Sequence, residues 1–229
     1  WDTSGNPEDP RQIAGETEEG IYGLFDLPWI PPELREDRGE IEAAAEDALP
    51  ELIKLEDIRG DFQAHTTASD GRASLADMAQ AAQDRGYEYF AVTDHTSYLG
   101  ITQGMNAEEF LERNQEVNQL NEQFSEIQLL KSAEVDIHED GSLDLADDVL
   151  KTMDVVVVSI HSHFDLSYEK QTERILRALD NPYVNILGHP TGRRINQRSP
   201  YHLDLEKIMD AARERGCFLE INAQPDRLD

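Results

Sequence analysis

From Asp57 onward the spacing of apolar residues switches repeatedly between two periods. "DFQAHTT" (61–67) reads as a strand. "SLADMAQAAQDRG" (74–86) then places Leu75, Met78, Ala79 and Ala82 at i, i+3, i+4 and i+7, opens on a Ser74-x-x-Asp77 cap and stops at Gly86. "YEYFAVTDH" (87–95) is the next predicted strand, and "NAEEFLERNQEVNQLNEQF" (106–124) repeats Phe110, Val117 and Phe124 every seven residues as a helix. "IQLLKSAEVDI" (127–137) returns to strand, "DLADDVLKTM" (144–153) to helix and "DVVVVSIHSH" (154–163) to strand. "YEKQTERILRALDN" (168–181) reads as helix and "YVNILGHPTG" (183–192) as strand. "DLEKIMDAARERG" (204–216) is a helix with Leu205, Ile208, Met209 and Ala212 inward, and "CFLEINA" (217–223) is a last strand.

Six β units separated by five helices argue for a parallel sheet with helical crossovers. The polar residues favour a closed β/α barrel over a doubly wound sheet. The apolar run of nearly every strand ends in His65, Asp94-His95, Glu134, His161 or His189. In a barrel those ends form one ring, whereas in an open sheet they line one edge and fewer converge.

The first fifty-odd residues follow another pattern. Residues 1–20 are polar and turn-rich, and "YGLFDLPWIPPELREDRGEIEAA" (22–44) joins an aromatic cluster, a Pro-Pro brake and a charged helical run. This predicts a preceding segment over 1–55 and a main domain over 56–229. The first residue is Trp1 and the end follows closely on a strand, so the expectation is a fragment at both ends.

Charge changes the picture of partners. Forty-eight Asp and Glu against twenty Lys and Arg leave a formal charge of −28, too negative for an ordinary nucleic-acid binder. At about 1 M salt the Debye length falls to roughly 3 Å and such self-repulsion is largely screened, so the balance reads as adaptation to a salty cytoplasm. Cys217 is the only cysteine, which rules out an internal disulfide and thiolate-rich zinc sites. No apolar run approaches the roughly 18 residues of a membrane helix and no signal peptide opens the chain, so the expected location is cytoplasmic.

Imidazole and carboxylate without thiolate suit Zn, Mn or Fe, and a ring of them could hold more than one ion. Such a site activates water and clamps a phosphoryl group, which suggests hydrolysis of phosphate esters. A single strand-end histidine is more often a hydrogen-bonded loop residue. Four of the seven histidines and a glutamate recurring at equivalent places favour the metal. His163, two residues from His161, is a further ligand or a supporting residue, while His138 and His202 lie in loop contexts and are expected to be solvated. Alone, Asp70 in its Ser-Asp-Gly turn reads as a turn or cap residue. Arg193 and Arg194 form a local basic patch suited to gripping phosphate, with Arg198 further along the same loop.

"HTTASDG", "VTDH", "AEVDIHEDGSLDL", "SIHSHF", "LGHPTGR" and "LEINAQPDRLD", in this order, resemble the polymerase-and-histidinol-phosphatase (PHP) domain, in the version carried at the C-terminus of bacterial and archaeal family X DNA polymerases. The upstream "YGLFDLPWIPPELREDRGEIEAA" (22–44) resembles the connector from the polymerase region to that domain. The resemblance implies an α/β fold, a distorted (β/α)7 TIM-like barrel, incomplete at its C-terminus here, holding up to three divalent ions of Mn or Zn type. It implies His65, Asp70, His95, Glu134, His161 and His189 as ligands, with Gln63, His163 and Asp94 as weak or supporting positions and Arg193 and Arg194 on phosphate.

Gln63 stands where the family commonly has the first histidine of a His-x-His pair, and the family's last motif, an Asp-x-His, would lie beyond Asp229. The implied activity is metal-dependent phosphoester hydrolysis at DNA 3′ ends, as exonuclease or 3′-phosphate processing in DNA repair, with a hydroxide on the metal as nucleophile and no side chain assigned that role. The implied partners are DNA 3′ ends and the polymerase domain of the same parent chain, with no membrane. The alternatives are a histidinol-phosphatase-like phosphomonoesterase and a non-catalytic, metal-stabilised scaffold.

Overall fold

A computed structural model describes residues 13–99 and 104–227. The chain divides into two compact units, Trp1–Leu55 and Glu56–Asp229.

In the first unit, α1 (Glu18–Gly23) starts at Thr17, whose Oγ1 accepts from the Gly20 amide at 3.1 Å. Arg35, just after the Pro-Pro turn, reaches back to Glu18 at 2.7 Å, and Trp29 Nε1 donates to the same carboxylate at 3.0 Å. Those two hydrogen bonds hold the Glu18 carboxyl at a pKa of about 2. The guanidinium also lies over the rings of Tyr22 and Trp29, so the aromatic cluster of this segment is organised around one ion pair. The charged run that follows forms α2 (Glu40–Ala45).

The second unit is built of parallel β/α repeats. Strand β1 (Gly60–Ala64) pairs with β2 (Tyr89–Val92), which pairs with β3 (Gln128–Leu130). Strand β4 (Ser132–Asp136) pairs with β5 (Val155–Ser159), then β6 (Ile186–Leu187), then β7 (Phe218–Leu219). Between them run α3 (Leu75–Asp84), α4 (Ala107–Asn121), α5 (Asp147–Leu150), α6 (Tyr168–Leu179) and α7 (Leu205–Arg215).

The third predicted strand is thus two strands with a break at Lys131. The Lys131 carbonyl accepts from the amides of Asp154 and Val155, so the chain changes pairing partner from β2 to β5 at that residue. The line of β2 nevertheless continues onto β4. Glu134 N donates to Asp94 O and Thr96 N to Glu134 O, both at 3.1 Å, and this bridge joins the two sheets into one arc. At its ends, β1 and β7 line one cavity of about 420 Å³ through Asp61, Phe62, Gln63, Phe218 and Leu219. The arc therefore curves round toward itself, as a distorted TIM-like barrel requires.

Alternation sets the two faces. Ala133, Val135 and Ile137 of the β4 line, with Val156, Val158 and Ile160 of the β5 line, pack outward against Ile175 and Leu179 of α6 and Ile208 of α7. Each such large side chain contributes roughly 2 kcal/mol by burial. The opposite, inward positions are Ser132, Glu134 and Asp136 on β4, and Asp61, Gln63 and His65 along β1. A second apolar cluster lies under α3 and α4, where Leu75, Ala79, Val117 and Leu120 meet Phe90, Val92 and Leu129.

Helix α3 begins with the expected Ser74–Asp77 capping box, worth about 1 kcal/mol. On α7 the buried stripe is Ile208, Ala211 and Ala212, while Leu205 and Met209 are exposed, contrary to the inward placing of both. Small alanines let the helix approach the sheet closely along a narrow stripe, and the longer apolar side chains fall to its flanks.

Candidate metal centre

The strand ends converge on Glu134. This carboxylate is 1% exposed and has His65 Nε2 and His95 Nδ1 at 3.5 Å from its Oε2, and His161 Nε2 at 3.2 Å and His189 Nε2 at 3.3 Å from its Oε1. Asp70 approaches from the loop after β1, with one oxygen 3.8 Å from His65 Nδ1 and the other 3.8 Å from His95 Nε2. The rings of His65 and His95 stack at 4.5 Å, His161 stands edge-on to His95 at 5.0 Å, and His189 follows at 5.1 Å from His161. The structure thus brings together all six strand-end and turn residues singled out as ligands.

Within this cluster two groups have ligand atoms close enough to share an ion: His65, Asp70 and His95, and His95, Glu134 and His161. Four buried atoms, His65 Nδ1, His95 Nδ1, Glu134 Oε1 and His189 Nδ1, have no hydrogen-bond partner among the described residues. Buried polar atoms are ordinarily paired, and a convergent set of unpaired imidazole nitrogens and carboxylate oxygens fits a divalent cation.

Electrostatics follow from burial and crowding. Burial alone would raise the Glu134 carboxyl, yet His161 and His189 hold it well below the ordinary range. Burial and neighbouring imidazoles lower His95 against the pull of Glu134 and Asp70. His161 moves the other way: burial opposes its charge, but the hydrogen bond from Nδ1 to Asp136 Oδ1 at 2.9 Å and the Glu134 carboxylate raise it to about 9.

The supporting residues are equally specific. Asp94 is buried and accepts from Thr66 N at 2.7 Å, Thr66 Oγ1 and Ser69 Oγ at 2.6 Å, and Arg113 Nη1 at 2.8 Å. Burial would raise it, but these donors keep it below the ordinary range. Its oxygens are committed to the 66–69 turn that delivers Asp70. Gly71 closes that turn: a Cβ there would sit 2.3 Å from the His65 carbonyl oxygen, so only glycine fits.

Gln63 donates Nε2–H to Glu134 Oε2 at 2.8 Å, and its Oε1 accepts from Thr93 Oγ1. His189 has φ 29°, a left-handed backbone that strains a non-glycine residue. Its amide donates to Glu220 Oε2 at 2.6 Å, and its carbonyl accepts from the Gly192 amide at 2.9 Å.

Other expected positions fall differently. Strand β5 ends at Ser159, so the two-residue alternation linking His161 to His163 does not extend that far. His163 has φ 53° and faces Glu139 at 3.8 Å. Arg194 is ion-paired with Asp226 through Nη2 at 2.6 Å and Nε at 3.0 Å, and Arg193 Nε donates to the Arg227 carbonyl at 3.3 Å. Arg198 lies 4.0 Å over the Phe164 ring. Residues 193–200 line a cavity of about 450 Å³. His138 is half-buried against Tyr98 and Asp144 rather than solvated.

Asp136 and Thr93 carry roles that residue type alone did not single out. The available signal for Asp136 was its place two residues after Glu134 on one strand, hence on the same face.

Residues 61–224 match the PHP domain family, and residues 4–36 match the DNA polymerase beta thumb. The chain is 43% identical over 213 residues to the DNA polymerase/3′-5′ exonuclease PolX of Bacillus subtilis (strain 168), covering 93% of this chain and 37% of that protein. It is 37% identical over 168 residues to a protein named probable phosphatase in Thermoanaerobacter sp. (strain X514), covering 71% of this chain and 63% of that one. The chain therefore spans less than two thirds of either relative. Among solved structures, histidinol phosphate phosphatase from Lactococcus lactis subsp. lactis, complexed with zinc, L-histidinol and phosphate, aligns at TM-score 0.48 and 21% identity, over 72% of this chain and 73% of that one. The family match extends from β1 to beyond β7 and takes in every residue of the cluster around Glu134, so this chain belongs to the PHP domain family.

Proposed function

We propose that this chain is a metal-dependent phosphoesterase acting on DNA 3′ ends within a family X DNA polymerase, with residues 1–55 as the end of the polymerase region and its connector and 56–229 as the hydrolase. The observation that carries the reading is the convergence of His65, Asp70, His95, His161 and His189 on one buried carboxylate, Glu134, with four ligand atoms left without a hydrogen-bond partner among the described residues. The thumb match over 4–36 and the similarity to PolX support the polymerase context.

The six residues would hold up to three ions of Mn or Zn type. When bound, such ions supply a Lewis acid for the phosphoryl group and make water nucleophilic near neutral pH. The protein supplies placement. His95 belongs to both ligand groups and Glu134 to the second, Asp136 takes the Nδ1 side of His161 so that Nε2 faces the cluster, and Asp94 holds the turn that carries Asp70. Arg193 and Arg194 grip phosphate in this reading, with Asp226 giving up Arg194 as the substrate's phosphate arrives. The acidic surface suits a salty cytoplasm, and no described helix is long and apolar enough to cross a membrane.

The similarity to a named phosphatase keeps a small phosphomonoester as the competing substrate. The deciding experiment offers the manganese-loaded chain three substrates side by side: an oligonucleotide with a 3′ hydroxyl, one with a 3′ phosphate, and histidinol phosphate. Release of nucleotide or phosphate from the oligonucleotides supports the proposal. Turnover of histidinol phosphate alone would transfer the site to the monoesterase class, and zinc or manganese binding with no turnover would make it a scaffold.

A further inference from the structure

The most deeply buried cation of the described residues has no hydrogen-bonded carboxylate. Arg174, in the middle of α6, is 1% exposed. Its Nη1 donates to Ser162 O at 2.9 Å, its Nε to His138 O at 2.8 Å and its Nη2 to Ile137 O. A guanidinium buried among carbonyls is costly, and burial pushes its pKa down. An apolar residue could fill the same volume, so the reason for an arginine lies in what those carbonyls do.

They belong to the residues immediately following Asp136 and His161. Ile137 and His138 continue the chain beyond β4, and Ser162 continues it beyond β5, at the point where both leave regular pairing. The Asp136–His161 hydrogen bond at 2.9 Å spans these two departing segments. The planar fork of Arg174 clamps both segments from beneath and fixes their separation. Gly141 presses the 138–142 turn onto the same helix: a Cβ there would meet Arg174 O at 2.7 Å. Lysine cannot reproduce this clamp, because an ammonium offers three donors from one point whereas the fork spreads its donors over three atoms.

We propose that Arg174 is a positioning residue of the metal centre: by binding the carbonyls of Ile137, His138 and Ser162 it sets the Asp136–His161 pair and thereby aims His161 at Glu134. The inference rests on the metal reading of the cluster and adds to it a residue outside the ring, on the helix behind the strands. Asp136 fixes the ring of His161, and Arg174 fixes the backbone beneath both.

The test is a calorimetric titration of Zn²⁺ into the metal-free 229-residue chain, as wild type, Arg174→Lys, Arg174→Gln and Arg177→Gln. Arg177 follows on the same helix and holds the Asp140 carbonyl at 2.9 Å, away from the pair, so its variant is the control. Both Arg174 variants should lose about 10–100-fold in zinc affinity, the range for supporting residues of metal ligands, while Arg177→Gln stays within about twofold. In an Asp136→Ala background the Arg174→Lys change should add little, because the pair it serves is already broken.

A wild-type chain that binds no zinc would overturn the metal reading itself. Wild-type binding with unchanged affinity in the Arg174 variants would overturn this proposal alone. A full additive loss in the Asp136→Ala background, or failure of both Arg174 variants to fold by circular dichroism, would overturn it in favour of a general structural role.

Discussion

Gln63 donates its amide N–H to Glu134 at 2.8 Å across 71 positions of sequence. The orientation is chemically forced: an ionised carboxylate only accepts, so the amide nitrogen must face it and the amide oxygen must turn to the Thr93 hydroxyl. The position that invites reading as a lost histidine ligand thus steadies the central carboxylate. Gln63→Ala should weaken zinc binding by less than His65→Ala does. Gln63→Glu should weaken it more than Gln63→Ala, because it sets a second negative charge against Glu134. Zinc titration of the three variants checks this, and tighter binding by Gln63→Glu would show that the side chain faces the ion instead.

Asp94 controls the loop that carries Asp70. With four donors on one buried carboxylate, Asp94→Ala leaves Arg113 with Glu116, at 3.2 Å, as its carboxylate partner and frees the 66–69 turn, and a destabilisation of about 2 kcal/mol is expected from the lost charge-assisted hydrogen bonds. Zinc affinity should fall with it, since Asp70 loses its support. Thermal melts and zinc titration of Asp94→Ala decide the matter. Wild-type affinity in a folded variant would mean that Asp70 is placed by other contacts.

The order of β and α units was legible because periods of two and of 3.6 residues are local properties. What escaped was non-local. The break at Lys131 comes from a change of partner strand, and nothing within "LLKSAE" marks it. Leu205 and Met209 were placed inward by their apolar character, yet Ala211 and Ala212 carry the packing. The six clustered residues were visible as residue types at strand ends. The roles of Gln63, Asp94 and Arg174 were not, because each depends on partners between 12 and 71 positions away. Arg194 shows the same limit: its partner Asp226 lies 32 positions on.

A formal charge of −28 makes salt a direct variable. As ionic strength rises toward about 1 M the Debye length shrinks to roughly 3 Å, so repulsion among the surface carboxylates fades. The melting temperature should therefore rise from low to molar potassium chloride. A maximum at low ionic strength would contradict adaptation of this surface to salt.

His161 and His189 both approach Glu134 Oε1, at 3.2 and 3.3 Å. His161→Ala or His189→Ala should each abolish 3′-end hydrolysis, because a missing ligand lowers metal affinity and misplaces the nucleophile. Loss of the metal-dependent rate by at least about 100-fold is expected from a ligand whose removal costs more than that of its supports. Wild-type rates in either variant would remove that residue from the site.

The central claim is that the cluster around Glu134 is a metal centre that hydrolyses phosphodiesters at DNA 3′ ends. The measurement that tests it most directly is nucleotide release from a 3′-labelled oligonucleotide by the metal-free chain, before and after addition of Mn²⁺, for wild type and Glu134→Gln. The account predicts release only by the wild type and only with manganese, reversed by a chelator. Equal release by Glu134→Gln, or release by the wild type that persists without any metal, would contradict it.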